Sequence, residues 1–153
     1  MTATETKRSI EPVSMKLHDA DFQAFADALG GSFKRYGFAV IADHGLDQGV
    51  IDAAIADTKA FFALPEETKR KYHQPGTGGA RGLTPFGVEA AKGAATVDLK
   101  EFWHVGRELP AGHPYRKYMR DNVWPSEVPG FRDHVYSMFT AMDALGAKIL
   151  RAI

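Results

Sequence analysis

Apolar residues recur early in the chain at the spacing of an α-helix. They lie three or four positions apart, which places them on one helix face. We expect this helix to begin near Asp19, whose carboxylate can cap exposed backbone N–H groups, and to end at Gly37. The pair Gly30-Gly31 weakens its middle and predicts a kink, and a short extended segment is expected before it, at residues 13–17. The residues of the apolar face are Phe22, Phe25, Leu29, Phe33 and Tyr36.

The next apolar stretches predict a strand and two further helices. Residues 38–42 are short, apolar and partly β-branched, which predicts a buried strand, and the turn after it lets His44 bond nearby backbone. Asp47 then caps a second helix. A short third helix is expected over residues 64–71, with proline in its first turn and charges that complement the helix dipole. The predicted buried face of the second helix is Ile51, Ile55, Thr58 and Phe62, with Phe61 beside it.

The second half of the chain is less regular until its final helix. Residues 73–82 are rich in glycine and predict a mobile loop, residues 98–105 predict a strand or extended segment, and residues 110–129 are irregular. A last amphipathic helix begins near Pro129-Gly130. Its apolar face is still in phase at Ile153, with no residue that ends a helix, and we expect further sequence to cover it. The alternative is a natural C-terminal helix that frays.

Composition indicates an ordinary soluble globular protein. Of 153 residues, 44% are hydrophobic and 25% are charged, as in a typical single domain. Lysine plus arginine equals aspartate plus glutamate at 19 each, so no net charge attracts nucleic acid. No apolar run is long enough to span a bilayer. Cysteine is absent, which excludes disulfides and thiolate sites and suits the cytoplasm.

No motif in the chain predicts a catalytic or metal site. None of the six histidines lies three or four residues from another, and none begins the His-x-Asp/Glu pattern of a non-haem iron site. The glycine-rich loop has no Gly-Lys-Ser/Thr, and Arg81 stands where a dinucleotide fingerprint needs glycine. No Gly-x-Ser-x-Gly is present. We therefore predict no catalytic residue and no metal ligand.

Four segments, in this order, resemble the N-terminal region of isopenicillin N synthase-like Fe(II)/2-oxoglutarate-dependent oxygenases. Residues 36–46 contain Gly-Phe-Ala-Val-Ile-Ala-Asp-His-Gly, in which Asp43 stands where the family usually has asparagine. Residues 61–72 contain Phe-Phe-Ala-Leu-Pro-Glu-Glu-Thr-Lys, which is close to the family's run. The third segment is residues 98–106, and the fourth combines Asn-Val-Trp-Pro at residues 122–125 with Pro-Gly-Phe-Arg at residues 129–132.

The resemblance implies a fold class and a place within a larger enzyme. It implies an α+β fold, a helix-rich portion with a few strands that packs on a double-stranded β-helix, or jelly roll, absent from this chain. Residues 1–153 are then the N-terminal domain of a non-haem dioxygenase. Fe(II) and 2-oxoglutarate are implied as cofactors of the complete protein, held by residues outside this chain, so that the chain alone is inactive.

The same resemblance implies candidate residues for a substrate pocket. Phe102 and His104 are expected to face the pocket, and the loop that carries Arg81 is expected to cover it. The alternatives are a core aromatic residue for Phe102 and exposed side chains for the other two. The substrate is expected to be a small organic molecule, and its identity and the oligomeric state stay open.

Three other functions are alternatives to this interpretation. The first is a non-catalytic interaction module of the same fold, which requires that the chain cover its own last helix. The second is an iron oxidase that does not use 2-oxoglutarate, as isopenicillin N synthase does not. A hydrolytic metalloenzyme is the third, and no ligand spacing supports it.

Overall fold

The chain, described by a computed structural model over residues 10–90, 92–93 and 96–153, combines helices with a few short strands. Within these residues it has five α-helices and four strands, so the predicted mixture of helices and strands is confirmed. The chain divides into two compact units. The first holds residues up to Leu46 together with Met142–Ile153, and the second holds Asp47–Ala141.

The first unit begins with a strand that leads directly into a helix. Strand β1 (Val13–Ser14) pairs in parallel with β2 (Ile41–Ala42). The Ser14 side chain accepts from the Lys16 backbone N–H and so begins helix α1 (Met15–Ala20). Helix α2 (Phe22–Tyr36) follows.

Helix α2 is bounded by two residues with suitable backbone geometry. The Asp21 carboxylate accepts from the Ala24 N–H at 3.0 Å, and Gly37 ends the helix with a φ of 80°. Phe25 and Leu29 are fully buried against Val13 and Met15, and this core also contacts partly buried apolar residues from β2 and from the end of the last helix. Those residues are Leu17, Ala39, Ile41, Leu145, Ile149 and Ala152.

The second unit contains two helices, a hairpin and the first part of the last helix. Helix α3 (Gln48–Phe62) is capped by Asp47, whose carboxylate accepts from the Gly49 N–H. Helix α4 (Glu66–Arg70) has Pro65 at its N-cap, followed by acids in its first turn and bases in its last. Strands β3 (Gly82–Thr84) and β4 (Phe102–His104) pair antiparallel, a 3-10 helix covers Pro114–Lys117, and α5 covers Phe131–Leu150.

An aromatic cluster forms the core of the second unit. Phe61, Leu83 and Phe131 are at most 1% exposed, and Val128 is buried beside them. The Trp103 ring lies edge-on to Phe61, with the ring centroids 4.7 Å apart. The partly buried residues that pack against this core are Phe62, Leu64, Tyr72, Trp103, Trp124 and Val135.

Several predicted boundaries were wrong, for local reasons. The extended segment at residues 13–17 is a strand only at Val13–Ser14, because the Ser14 cap starts a helix. Asp19 lies inside that helix, and Asp21 is the cap of α2. Helix α2 runs through Gly30-Gly31 as one helix.

Two further predictions need correction. The strand expected over residues 38–42 covers only Ile41–Ala42, and β3 lies partly in the predicted glycine loop. Helix α3 buries Ala54 and Phe61 most deeply; of the predicted face, Ile51, Thr58 and Phe62 are half-buried, but Ile55 is 48% exposed. The apolar face of α5 packs at both of its ends, at Phe131 in one core and Leu145 in the other.

Candidate functional site

The three predicted pocket residues lie on or beside one hairpin. Strand β4 pairs with β3 in a register that sets His104 opposite Gly82 and Phe102 opposite Thr84. Because side chains alternate across a strand, Phe102 and His104 share one face of β4. Trp103 takes the other face and enters the aromatic core. The hairpin therefore separates a core face from a second face that carries the candidate residues.

The rings of Phe102 and His104 contact each other on that second face. Their centroids are 4.8 Å apart, with the planes inclined at 67°. His104 Nδ1 bonds the backbone oxygen of Gly79 in the glycine loop. A carbonyl oxygen can only accept, so Nδ1 carries the hydrogen, and in the neutral ring Nε2 keeps a free lone pair. The side chain of His104 is exposed and that of Phe102 is half-buried.

Arg81 lies just before β3, and its side chain contacts the backbone of two other residues. Its guanidinium donates to the Ala80 oxygen at 2.6 Å and packs over Gly106, where a Cβ atom would overlap the guanidinium group. Gly106 is therefore required for this position of Arg81. The Arg81 Nε atom is buried and has no hydrogen-bond partner among the described residues.

Asn122 fixes the backbone that follows β4. Its side-chain oxygen accepts from the Gly106 N–H at 2.9 Å, and its side-chain nitrogen donates to the Gly106 oxygen at 2.7 Å. One amide side chain thus satisfies both backbone groups of one residue. Glu108 continues the segment, accepting from the Trp124 indole at 3.2 Å and from Arg132 at 3.2 Å.

A buried ion pair fixes the start of β4. Lys69 of α4 donates to both carboxylate oxygens of Glu101, at 2.7 and 2.9 Å, and the two side chains are only 8% and 12% exposed. Burial alone would lower the pKa of Lys69, but hydrogen bonds to Glu101 and to Glu66 outweigh it and leave that pKa raised. Glu101 directly precedes Phe102. This ion pair therefore fixes strand β4, with Phe102 and His104, relative to helix α4.

The described part of the chain does not fit an iron site. Among these residues, no group of three His, Cys, Asp or Glu side chains is placed to hold a metal ion. The Nδ1 atom of each of the six histidines makes a hydrogen bond, which by itself leaves the metal-binding capacity of Nε2 unaffected. The partners are Asp19 for His18, the Leu46 N–H for His44, the Leu83 oxygen for His73, the Gly79 oxygen for His104, the Tyr115 N–H for His113 and Asp57 for His134.

No helix in the described residues is long and apolar enough to cross a membrane.

The bond between the His44 ring and the Leu46 N–H, at 3.1 Å, agrees with the expectation that His44 supports its turn.

A family comparison accounts for most of the chain. The model for the N-terminal region of the family described as non-haem dioxygenase in morphine synthesis matches residues 10–127. The chain belongs to this dioxygenase N-terminal family. The resemblance drawn from the four sequence segments is therefore confirmed.

Curated relatives of the chain are named as a hydroxylase or as 2-oxoglutarate-dependent dioxygenases. Proline hydroxylase buaE of Petromyces alliaceus is 35% identical over 138 residues, covering 86% of this chain and 41% of the relative. The 2-oxoglutarate-dependent dioxygenase imqE of Aspergillus flavus is 41% identical, covering 84% of this chain and 42% of the relative. The chain thus spans less than half the length of these curated relatives.

Two solved structures resemble the chain over nearly all of its length. A 2OG-Fe(II) oxygenase family protein from Caulobacter crescentus is 56% identical with a TM-score of 0.83, over 95% of this chain and 47% of that one. A full-length protein from Neurospora crassa, solved in complex with alpha-KG, is 24% identical with a TM-score of 0.74, over 98% of this chain and 47% of that one. At that identity the second likeness shows the fold alone.

Sequence reasoning missed several residues that shape this region. Lys69, Glu101 and Asn122 all lie in the segments that carried the resemblance, but no sequence pattern revealed which groups they bond. Thr84 was not singled out at all, although its hydroxyl is buried on the candidate face without a partner among the described residues. A threonine next to a glycine-rich loop is too common a pattern to have identified it.

Proposed function

We propose that the complete protein is an Fe(II)- and 2-oxoglutarate-dependent oxygenase that oxidises a small organic molecule. The observation that carries this proposal is the 56% identity, over 95% of the chain, to the oxygenase-family protein from Caulobacter crescentus. Residues 1–153 are then its N-terminal domain, which packs on a jelly roll beyond this chain. The lack of cysteine supports a cytoplasmic location.

Iron and 2-oxoglutarate bind, in this proposal, to residues outside the chain. Among the described residues, no group of three His, Cys, Asp or Glu side chains is placed to hold a metal ion. When bound, these cofactors supply the activation of dioxygen for the oxidation. The contribution of the N-terminal domain is to bind and orient the substrate.

The second face of the β3–β4 hairpin forms part of the substrate pocket in this proposal. Phe102 contributes a half-buried apolar ring that contacts His104. His104 is held with Nδ1 as the donor, so that Nε2 can accept a hydrogen bond from substrate. Arg81, packed over Gly106, adds a positive charge beside them, and its loop covers the pocket.

The activity is tested on the longer product of the same reading frame. With Fe(II), dioxygen and 2-oxoglutarate it should bind iron and form succinate, whereas the 153-residue chain should do neither. Stoichiometric Fe(II) binding by the 153-residue chain alone would show that the assignment of the cofactors is wrong. Iron binding and substrate oxidation without succinate would indicate an oxidase that does not use 2-oxoglutarate.

The pocket assignment is tested separately once a substrate stimulates turnover. Phe102→Ala and His104→Ala should raise KM for that substrate while leaving iron binding unchanged. Tyr118→Ala is the matched control, because this aromatic side chain is 74% exposed and lies elsewhere in the same unit. If both hairpin variants keep the original KM, the pocket lies elsewhere even though the protein is an oxygenase.

A further inference from the structure

A cavity of about 420 Å³ lies between the glycine loop and strand β3. Its position places it beside the candidate face, because Thr84 lines it and is the register partner of Phe102. The residues that line it are His73, Gln74, Pro75, Gly76, Gly78, Gly79, Thr84, Val88 and Glu89.

The Thr84 hydroxyl is an unmatched polar group in the wall of this cavity. Thr84 is 1% exposed, and its Oγ1 atom has no hydrogen-bond partner among the described residues. Buried hydroxyls in folded proteins almost always have a partner, so this group calls for one. The hydroxyl faces the glycine loop, since a Cβ atom on Gly79 would lie 2.6 Å from it. Oγ1 has almost no accessible surface in this structure, so a ligand hydroxyl reaches it only when the loop at Gly79 moves aside.

His73 is a second polar residue that lines the cavity. His73 Nδ1 donates to the Leu83 backbone oxygen at 3.1 Å, which fixes the neutral ring with its hydrogen on Nδ1. Nε2 then offers a lone pair. A ligand group that donates to His73 and accepts from Thr84 would satisfy both atoms.

The charges of the lining residues favour an uncharged ligand group over a charged one. None of the lining residues is lysine or arginine, and Lys100 beside the lining residue Glu89 is already neutralised by Glu89 and Asp98, so a carboxylate or phosphate would find no unpaired positive charge there. The one charged lining side chain is Glu89, which already pairs with Lys100 at 3.0 Å. A cation would have to give up its hydration beside Thr84 without a free carboxylate to replace it. A hydroxyl both donates and accepts without this penalty.

We propose that this cavity binds an uncharged hydroxyl group of a small organic molecule, with Thr84 as the residue that recognises it. That the molecule is the substrate of the enzyme rests on the proposed function. The binding itself does not, because every group involved lies in this chain.

The test uses cyclohexanol as the probe and follows its binding to the longer product of the same reading frame, without added iron or 2-oxoglutarate, by two-dimensional NMR. Cyclohexanol should shift the amide signals of His73, Gly79 and Thr84, and cyclohexanecarboxylate and cyclohexylamine, which carry the same ring, should not. Thr84→Val, which removes the hydroxyl at constant shape, should weaken cyclohexanol binding about three- to tenfold, and Thr84→Ser should restore it. Thr140→Val is the matched control, because it removes an exposed hydroxyl that bonds the Ser137 oxygen.

Three results would overturn the proposal. They are equal cyclohexanol binding by wild type and Thr84→Val, tighter binding of either charged probe, and shifts confined to residues away from the cavity. If Thr84→Val does not fold, the comparison of the three probes on the wild-type chain decides. No iron, 2-oxoglutarate or turnover enters this experiment, so its failure leaves the proposed oxygenase intact, and an inactive longer protein leaves the cavity intact.

Discussion

Replacing Lys69 by methionine should destabilise the second unit strongly. The substitution keeps the length of the side chain but leaves the Glu101 carboxylate, 12% exposed, without its partner. Two unit charges 2.7 Å apart attract each other by about 6 kcal/mol at an effective dielectric constant of 20. The lost hydration of both groups offsets much of that attraction. Measured losses on removing one member of a buried pair are about 3–5 kcal/mol, and we expect the lower end of this range.

The pH of the measurement follows from the direction of the Lys69 pKa. That pKa is raised above its ordinary value of 10.5, so the contribution of the pair is fully present below 10.5 and is lost as pH rises through the higher folded-state value. Unfolding in urea at neutral pH therefore measures the full effect. Trp103 and Trp124 are the only tryptophans, and both pack in the core of the second unit, so their fluorescence reports its unfolding.

The neighbouring residue Lys100 provides a matched control. It also pairs with two carboxylates, Glu89 at 3.0 Å and Asp98 at 3.1 Å, but its side chain is 52% exposed. Lys100→Met should leave the urea midpoint unchanged, because water screens exposed pairs. The double variant, which combines Lys69→Met with Glu101→Met, should be more stable than the sum of the single losses predicts. Equal midpoints for Lys69→Met and Lys100→Met would refute the reasoning.

Two further predictions concern backbone geometry and acid pH. Gly76→Ala should lower the free energy of unfolding by about 1–2 kcal/mol, because alanine is strained at the left-handed φ of 76°. Its Cβ atom would meet no other atom within 4 Å. Gly82→Ala should lose clearly more, because its Cβ atom would also stand 2.5 Å from the Tyr72 oxygen, and equal urea midpoints for the two would contradict this. The pKa of Asp43 is lowered, first by the Ser14 hydroxyl and then by Lys16, so its stabilisation is present above the ordinary value of 3.8 and is lost as pH falls through the lower folded-state pKa. Ser14→Ala should move the NMR titration midpoint of Asp43 up towards 3.8, and an unchanged midpoint would exclude this cause.

Helices with a strong pattern and a clear end could be predicted from the sequence. Helix α2 combines Phe25 and Leu29 at helical spacing with Gly37 at its end, and all three do what the pattern predicts. Its apolar face is wider than the buried part, since Phe22 is 45% exposed. In helix α3, too, the predicted apolar face differs from the set of residues that is buried. Its sequence predicts a helix, but its neighbours decide that Phe61 rather than Ile55 is buried.

The hairpin could not be predicted in the same way. Strand β3 has three residues, too few to show an alternating pattern, and its partner begins at Phe102, beyond a long connection. The bonds that position the candidate face join residues far apart in sequence, such as Lys69 with Glu101. Short strands and long-range polar pairs depend on the whole fold, and local residue types do not encode them. The resemblance identified the region, but not its geometry.

The Asn122 contact makes this region sensitive to chemical ageing. The amide group acts as both donor and acceptor towards Gly106, and its nitrogen also lies 3.5 Å from a Glu108 carboxylate oxygen. Deamidation replaces that nitrogen with a charged oxygen. The bond to the Gly106 oxygen would become a repulsion, and a second negative charge would face Glu108. The exchange of a single side-chain atom would therefore loosen the backbone that holds Arg81 in place.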